Sequence, residues 1–377
     1  MENRDLKEYA LRWFRFFADL SAEGEELTAR QTDIALAVLD MLERAALKRF
    51  EKVQKQIPGL RTLQDRTYYV GDPARFPKGC ASCLCGTGLG AIRKTNRCNA
   101  ACPFCYDYGC LSSIPPVGAG MWEIGGTRFR EEDLDLLFST HQKPSGVAYV
   151  YLEPFMEIEK YYSFIAAVHS RGVYQHLYTN GISATEDQLK ALGEAGLDEI
   201  RFNLGASNCS DRVIEKISTA KKYIPMAGVE TPMTREFYAA LQKKKDRLLS
   251  AGPDFINLAE LHLNPNNILN YEGESMYMYR LGYLSPVFSR ELTLKTMLQA
   301  AGENWPIVVH DCSNRTKFAR DLHLKAAEGG WFGQSAYGSE FDAIPFEAFL
   351  PALEDDSLPF EENEDLPEGY WIGDVVI

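Results

Sequence analysis

From residue 91 onward the chain alternates short β-type runs with amphipathic helical stretches, and this alternation limits its fold more than any other feature. The β-type runs are Ala91–Asn96, Val147–Leu152, Tyr174–Thr179, Glu199–Leu204, Tyr223–Val229, Phe255–Leu263 and Ile307–His310. Glu157–Arg171, Thr185–Ala195 and Glu236–Ala251 are amphipathic stretches between them. Strands joined by helical crossovers lie parallel, with the helices covering the sheet. The pattern predicts an α/β fold, either a barrel or an open doubly wound sheet, and counting elements does not separate the two.

Four regions follow from the pattern. Residues 1–57 read as a helical N-terminal segment. Leu6, Ala10, Trp13, Phe14 and Phe17 share one helical face, and Ile34, Val38, Leu42, Ala45 and Ala46 form a second stripe, with a break near Ser21–Thr28. Residues 58–90 form a Pro-, Gly- and Cys-rich connector. The core spans 91–330, and an acidic tail, 331–377, carries Pro351, Pro359 and Pro367. That tail is either a disordered appendage or an extension laid on the body by Phe360, Tyr370 and Trp371. No short-period repeat appears beyond the β/α alternation.

With 377 residues, 45% of them hydrophobic, the chain builds a core without needing a disulfide or metal staple. A formal net charge of −13 argues against a protein that grips nucleic acid by neutralising phosphates. No run approaches a membrane span, and the charged first turn is unlike a secretory leader. Nine cysteines without such a leader point to reduced thiols in a cytoplasm, where clustered cysteines bind metal more often than they pair. Six of the nine lie between Cys80 and Cys105.

Cys98, Cys102 and Cys105 have the spacing C-x3-C-x2-C directly after the first β-type run. Three thiolates on one short loop fill three corners of a cubane iron–sulfur cluster and leave the fourth iron open. A structural zinc site wants four ligands, and a redox dithiol needs only two cysteines. The second run ends Tyr151-Leu152-Glu153-Pro154 and the third ends Tyr178-Thr179-Asn180-Gly181. In parallel α/β folds such strand ends collect functional groups.

With Phe104 before the third cysteine, these features resemble the radical S-adenosylmethionine (SAM) superfamily. The chain is similar to an uncharacterised branch related to the pyruvate formate-lyase activating enzyme. Gly79–Cys83, His176–Ile182, Ala195–Phe202, Phe255–Leu261 and His310–Arg315 carry that likeness, over about residues 79–327. The resemblance implies a partial (β/α)6 TIM-type barrel with a [4Fe–4S] cluster on Cys98, Cys102 and Cys105. It implies SAM on the open iron and Glu153 receiving the methionyl ammonium, although the family's Gly-Gly before Glu-Pro is here Tyr151-Leu152. Phe104, Tyr106, Asn180, Arg201 and Asn203 are further candidates for the cofactor site. A low-potential donor, flavodoxin or ferredoxin, is the expected electron partner.

Cys80, Cys83 and Cys312, with Cys85 or Cys110, are candidates for a second centre, an auxiliary Fe–S cluster or zinc. Glu230, Asn257 and Glu260 are weaker site candidates on or near strands. His262 and His310 read as hydrogen-bonded core histidines, and Tyr277, Tyr279 and Tyr283 as packing or pocket-lining residues. The expected activity is hydrogen abstraction from a small molecule or peptide. The alternatives are installation of a glycyl radical on a partner protein, or non-catalytic electron transfer through bound metal.

Overall fold

The computed structural model describes residues 3–85, 88–124, 127–140, 144–318 and 345–361. It opens with two long helices, α1 (Asn3–Glu23) and α2 (Ala29–Gln54). Thr28 caps α2 through a reciprocal box with Gln31: the Gln31 N–H reaches the Thr28 hydroxyl at 3.3 Å, and the Thr28 N–H reaches Gln31 Oε1 at 2.8 Å. The two apolar stripes foreseen for these helices are buried.

The connector is more ordered than its composition predicts. It holds the hairpin β1 (Arg61–Leu63) and β2 (Thr67–Val70), then the short helix α3 (Lys78–Leu84). Gln64 and Asp65 both adopt left-handed backbone at the hairpin turn, with φ 54° and 51°.

All seven β-type runs appear as strands. They are β3 (Gly88–Arg93), β6 (Gly146–Tyr149), β7 (Tyr174–Thr179), β8 (Glu199–Phe202), β9 (Met226–Pro232), β10 (Phe255–Ala259) and β13 (Val308–Cys312). Every neighbouring pair among them is parallel, in the order β3-β6-β7-β8-β9-β10-β13. The antiparallel pair β4 (Met121–Ile124) and β5 (Thr127–Arg130) extends one edge, and β2-β1 extends the other. The result is an open, eleven-stranded mixed sheet rather than a sheet closed on itself.

Crossovers run through α4 (Leu134–Thr140), α5 (Tyr162–His169), α6 (Glu186–Glu194), α7 (Asp211–Ala220), α8 (Arg235–Ser250) and α9 (Val287–Gly302). A second hairpin, β11 (Met276–Tyr279) with β12 (Tyr283–Pro286), stands apart from the main sheet. Ile200, Phe202, Val229, Ile256 and Leu258 join the main core on one face of the sheet. The alternate positions form the other face, where Phe255, Val308 and Tyr69 make a small separate apolar cluster. Between them that face carries polar groups.

Beyond residue 344, the short helix α10 (Leu350–Glu354) and the turn before it lie on α1, where Phe14 meets Phe346 and Phe349 edge-on at 5.5 and 5.7 Å. Phe360 is buried, as the second of the two readings of the tail expects, while Tyr370 and Trp371 lie outside the described residues. Among the described residues no helix is long and apolar enough to cross a membrane.

Candidate functional site

Strand β3 ends where the Tyr161 hydroxyl accepts from the N–H groups of Lys94 and Thr95, at 3.1 and 3.3 Å. The cysteine loop begins there and is laid across the C-terminal ends of the next strands. At β6, the Arg97 carbonyl accepts from the Glu153 N–H at 3.1 Å. At β7, Asn180 Nδ2 donates to Asn99 Oδ1 at 2.7 Å. Beyond β8, Phe104 closes on Gly205, with Cε1 only 3.3 Å from where a β-carbon would sit.

At the β10 end the loop is held by a group the sequence reading missed, the asparagines of Asn264-Pro265-Asn266-Asn267-Ile268-Leu269-Asn270. Asn264 and Asn266 donate to the Tyr106 carbonyl at 2.9 and 3.1 Å, and Asn270 to the Pro103 carbonyl at 2.8 Å. Asn267, fully buried, reaches the Phe104 carbonyl at 3.4 Å. Three carbonyls around Cys105 are thus turned toward the asparagines. Asn-Pro-Asn-Asn reads locally as an ordinary turn, so no signal in the sequence marked it as a clamp.

Cys98, Cys102 and Cys105 are partly buried. Burial pushes the Cys102 thiol up to about 12, and Cys105 and Cys98 beside it add to the rise. The three sulfurs therefore sense one another. Among the described residues no three His, Cys, Asp or Glu side chains converge on one metal ion. A cubane asks for something different, since each of its cysteines binds a separate iron. The loop fits that demand: three neighbouring thiols, with the surrounding carbonyls turned elsewhere.

Glu153 is buried and serves as an internal brace. One carboxylate oxygen accepts from the Phe155 N–H at 3.0 Å and the Thr179 hydroxyl at 2.7 Å. The other accepts from the Asn180 N–H at 2.6 Å. These bonds occupy most of its acceptor capacity, so the carboxylate ties the β6 end to the β7 end more than it faces open space. Burial raises its pKa despite the three donors. Just before it, Tyr151 and Leu152 take positive φ, 108° and 59°. This is backbone that glycine adopts freely and other residues adopt at a cost of about 1–3 kcal/mol. The Tyr151 hydroxyl donates to Asp107 in the cysteine loop at 3.1 Å, which helps hold that conformation. At the next strand, Gly181 (φ 69°) has no room for a β-carbon, which would meet Phe202 at 2.8 Å.

The remaining candidates separate into two groups. Asn203 stays at the mouth, where its Oδ1 accepts from the Thr231 hydroxyl at 2.8 Å and the Ala206 N–H at 3.3 Å. Tyr106 lies on the loop against the ring of His262, 5.6 Å between centroids. Arg201 lies deeper, fully buried on the polar face of the sheet. It pairs with Glu199 and donates through Nη1 to Tyr178 at 3.0 Å and Glu230 at 2.8 Å. Asn257 also donates to Glu230. An arginine placed in this way organises the interior, with its buried Nη2 left without a hydrogen-bond partner among the described residues.

The second cysteine group meets the same network only in part. Cys80 is buried, and its thiol is pushed up by burial, with Arg201, Glu230 and Cys312 near enough to act on it. Tyr178 senses both Cys80 and Cys83. Cys85 instead accepts from Gln64 Nε2 at 3.1 Å, and Cys110 donates to Asn266 Oδ1 at 3.5 Å beside the cysteine loop. Cys110 thus sits beside the cysteine loop. His310 is a buried core histidine with Nε2 2.8 Å from the Thr67 hydroxyl, and burial lowers His310 and His262 to about 3.

No protein-family model matches the chain. It is 27% identical over 202 residues to a Methanocaldococcus jannaschii protein named as a glycyl-radical enzyme activating enzyme, covering 51% of this chain and 52% of that one. It is 26% identical over 209 residues to the tungsten-containing aldehyde ferredoxin oxidoreductase cofactor-modifying protein of Pyrococcus furiosus, covering 48% and 54%. The chain thus spans about half the length of the curated relatives it matches. Streptococcus suis SuiB bound to S-adenosylmethionine is a solved structure it resembles at TM-score 0.44 and 10% identity, over 62% of this chain and 52% of that one. The chain is related to the radical SAM superfamily.

Proposed function

We propose that the chain is a radical SAM enzyme holding a [4Fe–4S] cluster on Cys98, Cys102 and Cys105, with SAM bound at the open iron. The observation that carries this reading is the cysteine loop laid over the ends of the parallel strands from β3 to β10, pinned at β6, β7 and β10. Its reach from β3 to β10 also supports a sheet curved as a partial barrel, with the cluster over the mouth. When bound, the cluster and SAM supply reductive cleavage of the sulfonium and a 5′-deoxyadenosyl radical that takes hydrogen from a substrate.

The chain's own groups position and shield. Glu153 fixes the turn at Asn180, and Asn180 in turn fixes Asn99 between the first two cysteines. With Glu153 committed internally, the left-handed backbone at Tyr151 and Leu152 is the better candidate to present carbonyls to the methionyl ammonium. Phe104, Asn203 and Asn180 line the same mouth. Tyr106, set on His262, closes it on the β10 side. A chain with nine cysteines suits a reducing cytoplasm, and flavodoxin or ferredoxin is the proposed electron donor.

Anaerobic reconstitution tests the reading. About four irons per chain are expected at the triplet, with 5′-deoxyadenosine formed from SAM and dithionite. Loss of both in Cys102→Ala is expected, and an intact cluster that yields no 5′-deoxyadenosine refutes the enzyme reading. About eight irons would favour an auxiliary cluster on Cys80, Cys83 and Cys312, while about four plus zinc would favour a structural ion. The printed name of the M. jannaschii relative favours a second reading, activation of a glycyl-radical enzyme. A glycyl-radical EPR doublet on a co-incubated partner would distinguish it from direct modification of a small substrate.

A further inference from the structure

On the opposite face of the sheet from Arg201 and Cys80, a cavity of about 520 Å³ lies between α2, the β11–β12 hairpin and the ends of β10 and β13. It shares no residue with the cysteine loop or its asparagine clamp. Alternation along β13 sets the two faces apart: Asp311 turns toward α9, while His310 and Cys312 turn to the other side.

The cavity is built around Arg290 of α9, which is only 4% exposed and lines its wall. Among the described residues, Arg290 has one hydrogen-bond partner, Asp311, reached through Nη1. A guanidinium carries five N–H donors, so Nε and Nη2 keep donors that a ligand in the cavity can meet. Glu260, the nearest wall carboxylate, has each oxygen engaged, by the Tyr277 hydroxyl and by the Asn314 N–H at 2.6 Å. Lys48 is held by Glu361, and Arg44 by Asp40 at 2.8 Å. Among the described residues, Arg315, exposed at the rim, donates to two neutral oxygens, the Tyr68 hydroxyl and the Asp65 carbonyl, and lies 5.8 Å from the Tyr68 ring centroid. Arg280 answers Glu43 and Arg290 answers Asp311, both just behind the wall, so among the described residues Arg315 is the lining cation without a carboxylate partner, while Arg290 keeps unused N–H donors. Phe50, Tyr277 and Tyr279 supply an aromatic wall.

We propose that this cavity is a second ligand site, binding a small organic anion with a flat apolar body. The anionic group meets Arg290 and Arg315, and the body lies against Phe50, Tyr277 and Tyr279. The volume falls within the range of about 300–1,000 Å³ usual for small-molecule sites. Because α2 forms one wall, occupancy ties the N-terminal helices to the last strands of the sheet. The proposal is independent of the cluster, so failure of either reading leaves the other standing.

Benzoate is the probe, and benzamide, of the same shape and neutral, is its control. In calorimetry and thermal melting of the full chain, benzoate is expected to bind at millimolar concentration, while benzamide does not. Benzoate is also expected to slow amide exchange over residues 44–54 of α2. Arg290→Gln is expected to weaken benzoate binding about tenfold. Arg315→Gln, on the exposed rim, is expected to weaken it several-fold without disturbing the core, which keeps the test decisive if the buried variant does not fold. An equal response to benzamide, no response to millimolar benzoate, or unchanged binding in Arg315→Gln would overturn the proposal.

Discussion

Replacing Asn267 by aspartate changes one atom of the asparagine clamp and inverts its chemistry. The retained oxygen still accepts from the Asn264 N–H, now at 2.9 Å. The atom that donated to the carbonyls of Phe104 and His262, at 3.4 and 3.2 Å, becomes an acceptor facing acceptors. Two neutral hydrogen bonds contribute about 0.5–1.5 kcal/mol each, and a buried carboxylate beside carbonyls adds to the loss. We expect Asn267→Asp to cost about 2–3 kcal/mol at pH 8, lowering Tm by roughly 5 °C.

The pH dependence fixes the sign. Burial without a cation raises the folded pKa of the new carboxyl above its unfolded value of about 3.9. The folded state then binds the proton more readily, so the penalty is full above the folded pKa and fades as pH falls through it. The protonated acid also restores one donor. The Tm difference between variant and parent is expected to be smaller at pH 5 than at pH 8, and amide exchange over residues 103–108 to be faster at pH 8. Equal Tm differences at the two pH values, or unchanged loop exchange, would refute the reasoning.

Three further outcomes are expected. Asp311, raised by burial to about 6 despite Arg290, makes the folded chain the better proton binder between about pH 4 and 6. Its contribution to stability therefore rises by about 2–3 kcal/mol as pH falls through that window, and urea titrations of Asp311→Asn should lack it. Thr28→Ala removes the box at the start of α2 and should cost about 1 kcal/mol, with exchange quickened in the first turn of that helix. Phe14→Ala opens the contact with Phe346 and Phe349, should cost about 3–5 kcal/mol, and should expose residues 346–354 to limited proteolysis.

What the sequence displayed well was anything written in periodicity. The seven parallel strands and the two N-terminal helices follow from apolar spacing, and Tyr174–Thr179 matches at both ends. Slippage occurred where a helix exit resembles a strand: Tyr223 is still in the turn closing α7, its N–H on the Ala220 carbonyl at 3.0 Å, and β9 starts only at Met226. The hairpin at Arg61–Val70 and the helix Lys78–Leu84 were hidden by a composition that reads as connector. At the site, the cysteines, Glu153 and Asn180 were marked by their places at strand ends. Arg201 was marked as a cofactor-site candidate, and its partners in the fold, Glu199, Glu230 and Tyr178, lie on three different strands that local spacing does not connect. The asparagine clamp and the Arg290 cavity depend on groups far apart in the chain, which local spacing does not encode.

The clamp also orders events in time. Its hydrogen bonds join residues 158 to 167 positions apart, spanning nearly the whole parallel sheet. During synthesis the three cysteines emerge long before Asn264–Asn270 exists to hold their loop, and long-range contacts of this kind form late in folding. The loop therefore acquires its shape only once β10 has docked. The frame that sets the three cysteines exists only in the finished fold, and a nascent chain stalled before residue 264 would present the same cysteines without it.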